Sequence, residues 1–173
     1  VVQQHNGDTP EESQTDFGQL SQSRRDLLAL AEDVFQQFQP KPGVLKDLPQ
    51  LTVESSSIVG VCQAAKNDPR LDFKLLLCLA CVDYEKYFQM VYFLQSLTHE
   101  QTLVIKTDVP YESPSLPSVV SVWEAADWYE REAHDLFGVA FEGHPALTPL
   151  LLYDEFEGYP GRKEYPLNDY EEF

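Results

Sequence analysis

Three apolar segments between residues 71 and 109 constrain the fold more than any other feature of the sequence. Segment 71–85 is rich in Leu and β-branched residues, which predicts a strand that is buried on both faces. Segment 87–97 carries aromatic side chains throughout, and segment 103–109 alternates in polarity. Because the links between these segments are short, consecutive strands are expected to pair antiparallel. A three-stranded meander is therefore the predicted centre of the fold.

Helical patterns flank this meander. Residues 24–38 and 58–67 predict two amphipathic helices, and residues 50–54 predict a short additional strand. Residues 119–137 predict a third helix, and at 100° per residue its apolar stripe consists of Val122, Ala126, Tyr129, Ala133 and Leu136. The predicted fold is α+β, with two layers in which helices cover one face of a mostly antiparallel sheet.

The chain divides into three predicted regions. Residues 1–22 are polar and predict a disordered or loosely attached acidic, Gln-rich tail. Residues 23–147 predict the α+β domain. Residues 148–173 contain prolines and glycines that prevent regular structure, yet they also carry aromatic side chains. This composition predicts an extended C-terminal arm that packs on partner subunits.

Composition excludes several classes of function. The net charge is −17, which disfavours binding to nucleic acid or to an anionic membrane surface. No apolar run approaches the roughly 20 residues of a membrane span, and the first basic residue is Arg24, so no signal or transit peptide is predicted. The cysteines Cys78 and Cys81 lie three apart in a predicted strand, on opposite faces. They predict packing in a reducing compartment rather than a disulfide or metal site.

One stretch, residues 130–145, holds the candidate chemistry. Glu130, Glu132 and His144 could serve a stand-alone acidic hydrolase if they converged on one pocket. On a helix, however, Glu130 and Glu132 diverge by about 160°, which disfavours a shared-proton pair. His144 follows a glycine and precedes Pro145, so a turn histidine that bonds the backbone is the more ordinary interpretation.

The same helix is better suited to docking. Arg131 is predicted to point away from the core, between Asp127 and Asp135, which lie four residues before and after it and can both pair with it. Gly138 is predicted to end the helix in the left-handed conformation. In the arm, Arg162 and Lys163 are predicted to make specific polar contacts with a partner.

Two blocks of sequence carry a family resemblance. ADWYEREAHDLFGVAFEGHP at residues 126–145 and EGYPGRKEYPL at residues 157–167 closely resemble the 30 kDa subunit family of complex I, called NuoC in bacteria. The resemblance is good over 71–167 and weaker over 24–70. Basic residues usually follow the His-Pro pair in the family, whereas Thr148 and Pro149 stand here. The matched family positions, assigned to motif and partner contacts, are Glu130, Arg131, Glu132, Asp135, Phe137, Gly138, Gly143, His144, Pro145, Arg162, Lys163, Tyr165 and Pro166.

The resemblance implies a subunit in the peripheral arm of an NADH:quinone oxidoreductase. Such a subunit has no catalytic, cofactor-binding or metal residues of its own, and the FMN, iron–sulfur clusters and quinone belong to its partners. The implied partners are the large subunit of the NuoD type and the iron–sulfur subunits of the NuoB and NuoI types. The implied location is peripheral, on the cytoplasmic face of the membrane, or on the matrix or stroma side in an organelle.

Other functions remain open from the sequence. The chain could be the equivalent subunit of a membrane-bound hydrogenase, an F420H2- or ferredoxin-dependent dehydrogenase, or the photosynthetic analogue of complex I. The hydrolase described above is a distant alternative. An independent acidic binding module would instead be a stable monomer whose arm is ordered without partners.

Overall fold

The computed structural model describes residues 17–166, and the elements within this range form an α+β fold. Five strands form one mixed sheet in the order β1-β2-β5-β4-β3, and two short strands form a second sheet, β6-β7. The strands are β1 Lys41–Leu45, β2 Leu48–Thr52, β3 Leu75–Asp83, β4 Tyr87–Ser96, β5 Gln101–Pro110, β6 Ser115–Pro117 and β7 Ala140–Glu142. The α-helices are α1 Gln22–Val34, α2 Ile58–Asn67 and α3 Ala126–Phe137.

The predicted meander is confirmed. β4 pairs antiparallel with both β3 and β5, so that Tyr92 faces Leu79 on one side and Ile105 on the other. The prediction that the first strand is buried on both faces is wrong, because Leu75, Leu77 and Val82 are each about 40% exposed. The helical side chains that form the core pack against one face of the sheet, which includes Tyr92 and Ile105.

Two features of the main sheet were not predicted. Strand β1 contains Pro42 and Gly43, which the sequence pattern assigns to the end of a helix. β1 is an edge strand, paired only with β2, and an edge is where a sheet tolerates proline. In addition, β2 pairs parallel with β5, with Leu51 opposite Ile105, so the sheet is mixed.

The core lies between the sheet and the helices. α1 buries Leu27, Leu28 and Ala31, and Phe35 follows in the next turn. Leu20 is also buried and belongs to this core, three residues before the predicted start of the domain. The remainder of the predicted N-terminal tail, residues 1–16, lies outside the described residues, as does the end of the arm from 167 to 173.

The third helix is shorter than predicted. It begins at Ala126 rather than near residue 119, and the preceding residues form turns in which Val119 accepts the backbone N–H groups of Val122 and Trp123. Residues 111–117 show no helix or strand pattern and predict a loop, yet they contain β6, which pairs parallel with β7 just after the helix. Because β6 precedes α3 and β7 follows it, this small sheet holds the segments on either side of the helix next to each other.

Candidate functional site

Helix α3 faces the core with part of the predicted stripe and with one charged residue beside it. Ala126 and Ala133 are buried as expected, but Tyr129 is only half-buried, and Glu130 is completely buried. The helical wheel places Glu130 beside the apolar stripe, at the boundary of the core, and this predicted position is wrong. Sequence patterns place carboxylates on the solvent side of a helix. The burial of Glu130 is explained only by the hydrogen-bond donors that surround it in the fold.

Glu130 holds the turns that lead into its own helix. Its Oε2 accepts the hydroxyl of Ser118 at 2.6 Å, and its Oε1 accepts the backbone N–H of Val119 at 2.7 Å. Burial raises the pKa of Glu130 to about 7, even though both hydrogen bonds act in the opposite direction. A substrate in solvent cannot reach this carboxyl group, because its exposed fraction is zero.

Arg131 contacts the arm of its own chain. Its Nε donates to the carbonyl of Thr148 at 3.1 Å, and its Nη2 donates to that of Pro149 at 2.9 Å. Arg131 pairs with Asp127 at 3.8 Å, as predicted. The predicted pairing with Asp135 is wrong, because that carboxylate instead accepts backbone N–H groups of the arm.

Asp135 anchors the next segment of the arm. Its Oδ2 accepts three consecutive backbone N–H groups, those of Leu150, Leu151 and Leu152, at 3.1, 2.7 and 2.8 Å. Burial acts to raise the pKa of Asp135, but the three donors together hold this pKa below its ordinary value. The ionised carboxylate therefore fixes the direction in which the arm leaves the domain.

His144 is a turn histidine that bonds the backbone, as predicted. Its Nδ1 accepts the N–H of Ala146 at 3.1 Å, so the proton of the neutral ring lies on Nε2. Nε2 lies 3.4 Å from Asp127 Oδ1, a distance compatible with electrostatic attraction but without hydrogen-bond geometry. Gly143 has a positive φ of 81°, and Pro145 is exposed.

Gly138 ends α3 as predicted. Its φ is 75°, and its N–H donates to the carbonyl of His134 at 2.8 Å. A Cβ at this position would lie 2.6 Å from the ring of Tyr159 in the arm. The glycine is therefore required both by the backbone conformation and by the close approach of the arm.

Arg162 fastens the end of the described arm. Its Nε donates to the carbonyl of Phe137 at 2.8 Å. Its guanidinium lies over three aromatic rings, with distances to the ring centroids of 5.2 Å for Phe88, 5.2 Å for Tyr111 and 4.7 Å for Tyr159. These contacts combine a charge-assisted hydrogen bond with cation–π attraction, which is favourable for arginine when water is partly excluded.

The residues around Arg162 reinforce this attachment. The N–H of Gly161 donates to the carbonyl of Leu136, and the N–H of Lys163 donates to Asp83 Oδ2. Tyr165 stacks on Phe156 and donates weakly to the carbonyl of Glu157 at 3.4 Å. Beyond it, Pro166 is exposed. Residues 148–166 thus pack on their own domain in this structure.

The hydrolase residues do not assemble into a site. Glu130 is enclosed with Ser118, the side chain of His144 faces Asp127, and Glu132 is exposed on the helix surface. Over residues 17–166 no group of three or more His, Cys, Asp or Glu side chains is placed to hold a metal ion. None of the described helices has the length and apolar character that crossing a membrane requires.

Comparison with known proteins decides the family. The profile of the family described as the 30 kDa subunit of respiratory-chain NADH dehydrogenase matches residues 51–171, well over half of the sequence. The chain belongs to this family. The resemblance carried by residues 126–145 and 157–167 is thereby confirmed.

Individual relatives agree with this assignment. The C subunit of NADH-quinone oxidoreductase from Salinispora arenicola is 42% identical over 130 residues, which are 72% of this chain and 53% of that protein. The corresponding protein of Mycolicibacterium paratuberculosis is 38% identical over 137 residues, covering 77% and 58%. The chain thus spans little more than half the length of these curated relatives.

Solved structures confirm the α+β fold. A chain of the membrane-bound sulfane sulfur reductase, an archaeal respiratory membrane complex, superimposes with a TM-score of 0.69 at 23% identity, covering 86% of this chain and 96% of that one. A trypsin-resistant fragment of Nqo5 superimposes with a TM-score of 0.54 at 26% identity, covering 71% and 98%.

In this member of the family, several important residues could not be found from the motif. Asp83, Phe88 and Tyr111 hold Arg162 and Lys163, but they lie in or near strands far away in sequence. Ser118, which bonds Glu130, looks like an ordinary polar residue after a proline. The two motif blocks locate helix α3 and the arm in the sequence. Contacts that attach them to the rest of the domain come from these four other residues.

Proposed function

We propose that the chain is a non-catalytic subunit in the peripheral arm of a complex I-type NADH:quinone oxidoreductase. It acts as a scaffold for the large NuoD-type subunit and for iron–sulfur subunits of the NuoB and NuoI types during electron transfer to quinone. FMN, iron–sulfur clusters and quinone are held by those partners, and the chain is attached to the membrane through the complex, on its cytoplasmic, matrix or stroma side. Family membership supports this role.

The observation that carries the proposal is how the charged motif residues are used. Glu130, Arg131 and Asp135 each bind backbone groups of their own chain, and so does Arg162. Side chains engaged in this way shape a surface and are unavailable for acid–base chemistry on a substrate. A scaffold needs such a shaped surface, whereas a hydrolase needs free groups in a pocket.

The attached arm presents apolar side chains outward. Leu151 and Tyr153 are 60% and 71% exposed, and Trp128 on the adjacent helix is 63% exposed. Large exposed apolar groups on an ordered segment are typical of surfaces that bind another protein. These outward side chains support a partner contact on the outer side of the α3–arm junction.

Purification of the complex through a tag on this chain tests the proposed role. We expect a NuoD-type subunit and cluster-bearing subunits to co-purify, with NADH:quinone activity in the assembly. The chain released from its partners should show no flavin or iron–sulfur absorbance and no NADH oxidation. Either bound cofactor or activity in the released chain would contradict the proposal. Co-purification of a different electron-donor subunit in place of an NADH-binding one would assign the chain to a related complex.

A further inference from the structure

A surface cavity of about 270 Å³ lies between the end of α3 and the arm. Its wall includes aromatic rings, carboxylates and one imidazole, and it has no Lys or Arg. The lining residues that matter here are His134, Tyr153, Asp154, Glu155, Phe156 and Tyr159. The cavity is separate from the Glu130 contacts, and it shares only Tyr159 with the Arg162 contacts described above.

Two carboxylates of this cavity are unpaired acceptors. Among the described residues, the carboxylates of Asp154 and Glu155 have no ion-pair partner within 4 Å, and both residues are exposed. His134 Nδ1 lies 2.9 Å from the carbonyl of Val139, so Nδ1 must donate, and Nε2 of the neutral ring is left to accept. Asp135, on the same wall, is already occupied by three backbone donors.

We propose that this cavity receives an arginine side chain of a partner subunit. The inference rests on the proposed scaffold function and specifies the chemistry of one contact. A guanidinium offers five N–H donors in a plane, which suits carboxylate acceptors, and its faces stack on aromatic rings. The lining supplies both kinds of group, with Asp154 and Glu155 beside Tyr153 and Phe156.

The same chain already shows this mode of recognition. Arg162 lies 4.7 Å from the centroid of Tyr159 while its Nε donates to a carbonyl oxygen. An arginine from a partner would repeat the combination in the adjacent cavity. An apolar side chain there would leave two carboxylates desolvated without compensation, which is unfavourable.

The surroundings favour a basic partner segment. The chain carries a net charge of −17, so a positively charged segment is attracted to it at long range. Leu151 and Tyr153 are exposed and can exclude water from the contact once the partner is seated. Salt should weaken such a contact, because part of its strength comes from exposed charges.

The test uses the assembled complex, isolated through a tag on this chain. We compare Asp154→Asn combined with Glu155→Gln against Glu157→Gln, a neighbouring exposed carboxylate that does not line the cavity. At about 0.3 M salt, the double variant should lose partner subunits about tenfold faster than the parent, and the control should stay within about twofold.

A photo-cross-linking residue at position 153 identifies the occupant in the same complex. The captured partner peptide should contain an arginine, and replacing that arginine should reproduce the effect of the double variant. Equal behaviour of the double variant and the Glu157→Gln control, or a captured peptide without arginine, overturns the inference. Loss of partners on adding a chelator to the parent would indicate a metal ion and would also overturn it. Absence of the chain from any such complex would instead reject the proposed function.

Discussion

At the scale of single residues, Glu130 shows how a charged side chain can serve the core. It is fully buried and has no basic partner among its contacts, yet two donors from residues 118 and 119 satisfy its oxygens. A buried carboxyl group without a countercharge favours its neutral form, which agrees with its raised pKa. The residue therefore links helix α3 to the turns before it through buried hydrogen bonds.

Gly138 gives a prediction at this scale. Gly138→Ala should lower the free energy of unfolding by more than the roughly 1–2 kcal/mol of left-handed strain, since its Cβ would also displace the Tyr159 ring. Gly143→Ala is the matched control, because Gly143 also has a positive φ but has no atom within 4 Å of the added Cβ. Urea unfolding of both variants measures the difference. Equal losses would show that the arm does not press on Gly138.

At the scale of elements, three charged residues attach the arm to the domain. Arg131 and Asp135 bind its first part, and Arg162 binds its last described part. The segment between them has no regular secondary structure. Its own backbone hydrogen bonds are confined to short turns, such as those of Phe156 with Tyr153 and of Arg162 with Tyr159, so its shape depends mainly on contacts with α3 and the sheet.

Arg162→Lys should weaken the attachment of the arm without unfolding the domain. Lysine keeps the charge but loses the planar stacking and the Nε donor to Phe137. Backbone amides of residues 161–163 should exchange with solvent about tenfold faster, while amides of β4 keep their protection. Lys163→Ala is the control, since this residue is held by its backbone N–H and its ammonium pairs with an exposed glutamate. Unchanged exchange in Arg162→Lys would contradict the role of the guanidinium.

The elements also show how far sequence patterns extend. The strand patterns of 87–97 and 103–109 are strong enough to predict β4 and β5 within a few residues, because the first is rich in aromatic residues and the second alternates in polarity. Strand β1 and the β6–β7 sheet are too short, or too rich in proline, to produce a pattern of their own. They exist because neighbouring segments supply hydrogen-bond partners.

At the scale of the whole molecule, two opposing groups of carboxyls set the response to pH. Glu130 has a folded-state pKa of about 7, above its ordinary 4.5, so its contribution to stability is lost as pH rises between these values. Other carboxyls have lowered pKa values, and their contribution is lost as pH falls below the ordinary value for aspartate. This second group consists of Asp47, Asp68, Asp72 and Asp135.

Stability should therefore be highest near pH 5 and fall by roughly 2–3 kcal/mol from there to pH 8. Glu130→Gln should flatten this alkaline limb, because an amide can still pair with Ser118 and Val119 but does not ionise. Unfolding in urea at pH 5, 6.5 and 8 measures both chains, and the exposed Glu132→Gln serves as control. A parent chain whose stability is unchanged from pH 5 to 8 would show that Glu130 remains ionised in the fold.

The sequence by itself determined the α+β class, the central meander, the end of α3 at Gly138 and membership of the 30 kDa subunit family. Periodicity and short motifs encode these features locally, through side-chain alternation, backbone conformation and spacing. Only the tertiary structure decided that Glu130 is buried, that Arg131 turns toward the arm, and that Arg162 is enclosed by three rings. Apart from that of Arg162 with Tyr159, these contacts join residues that are 11 or more positions apart, and the direction of a charged side chain depends on where the fold brings its donors, acceptors and rings.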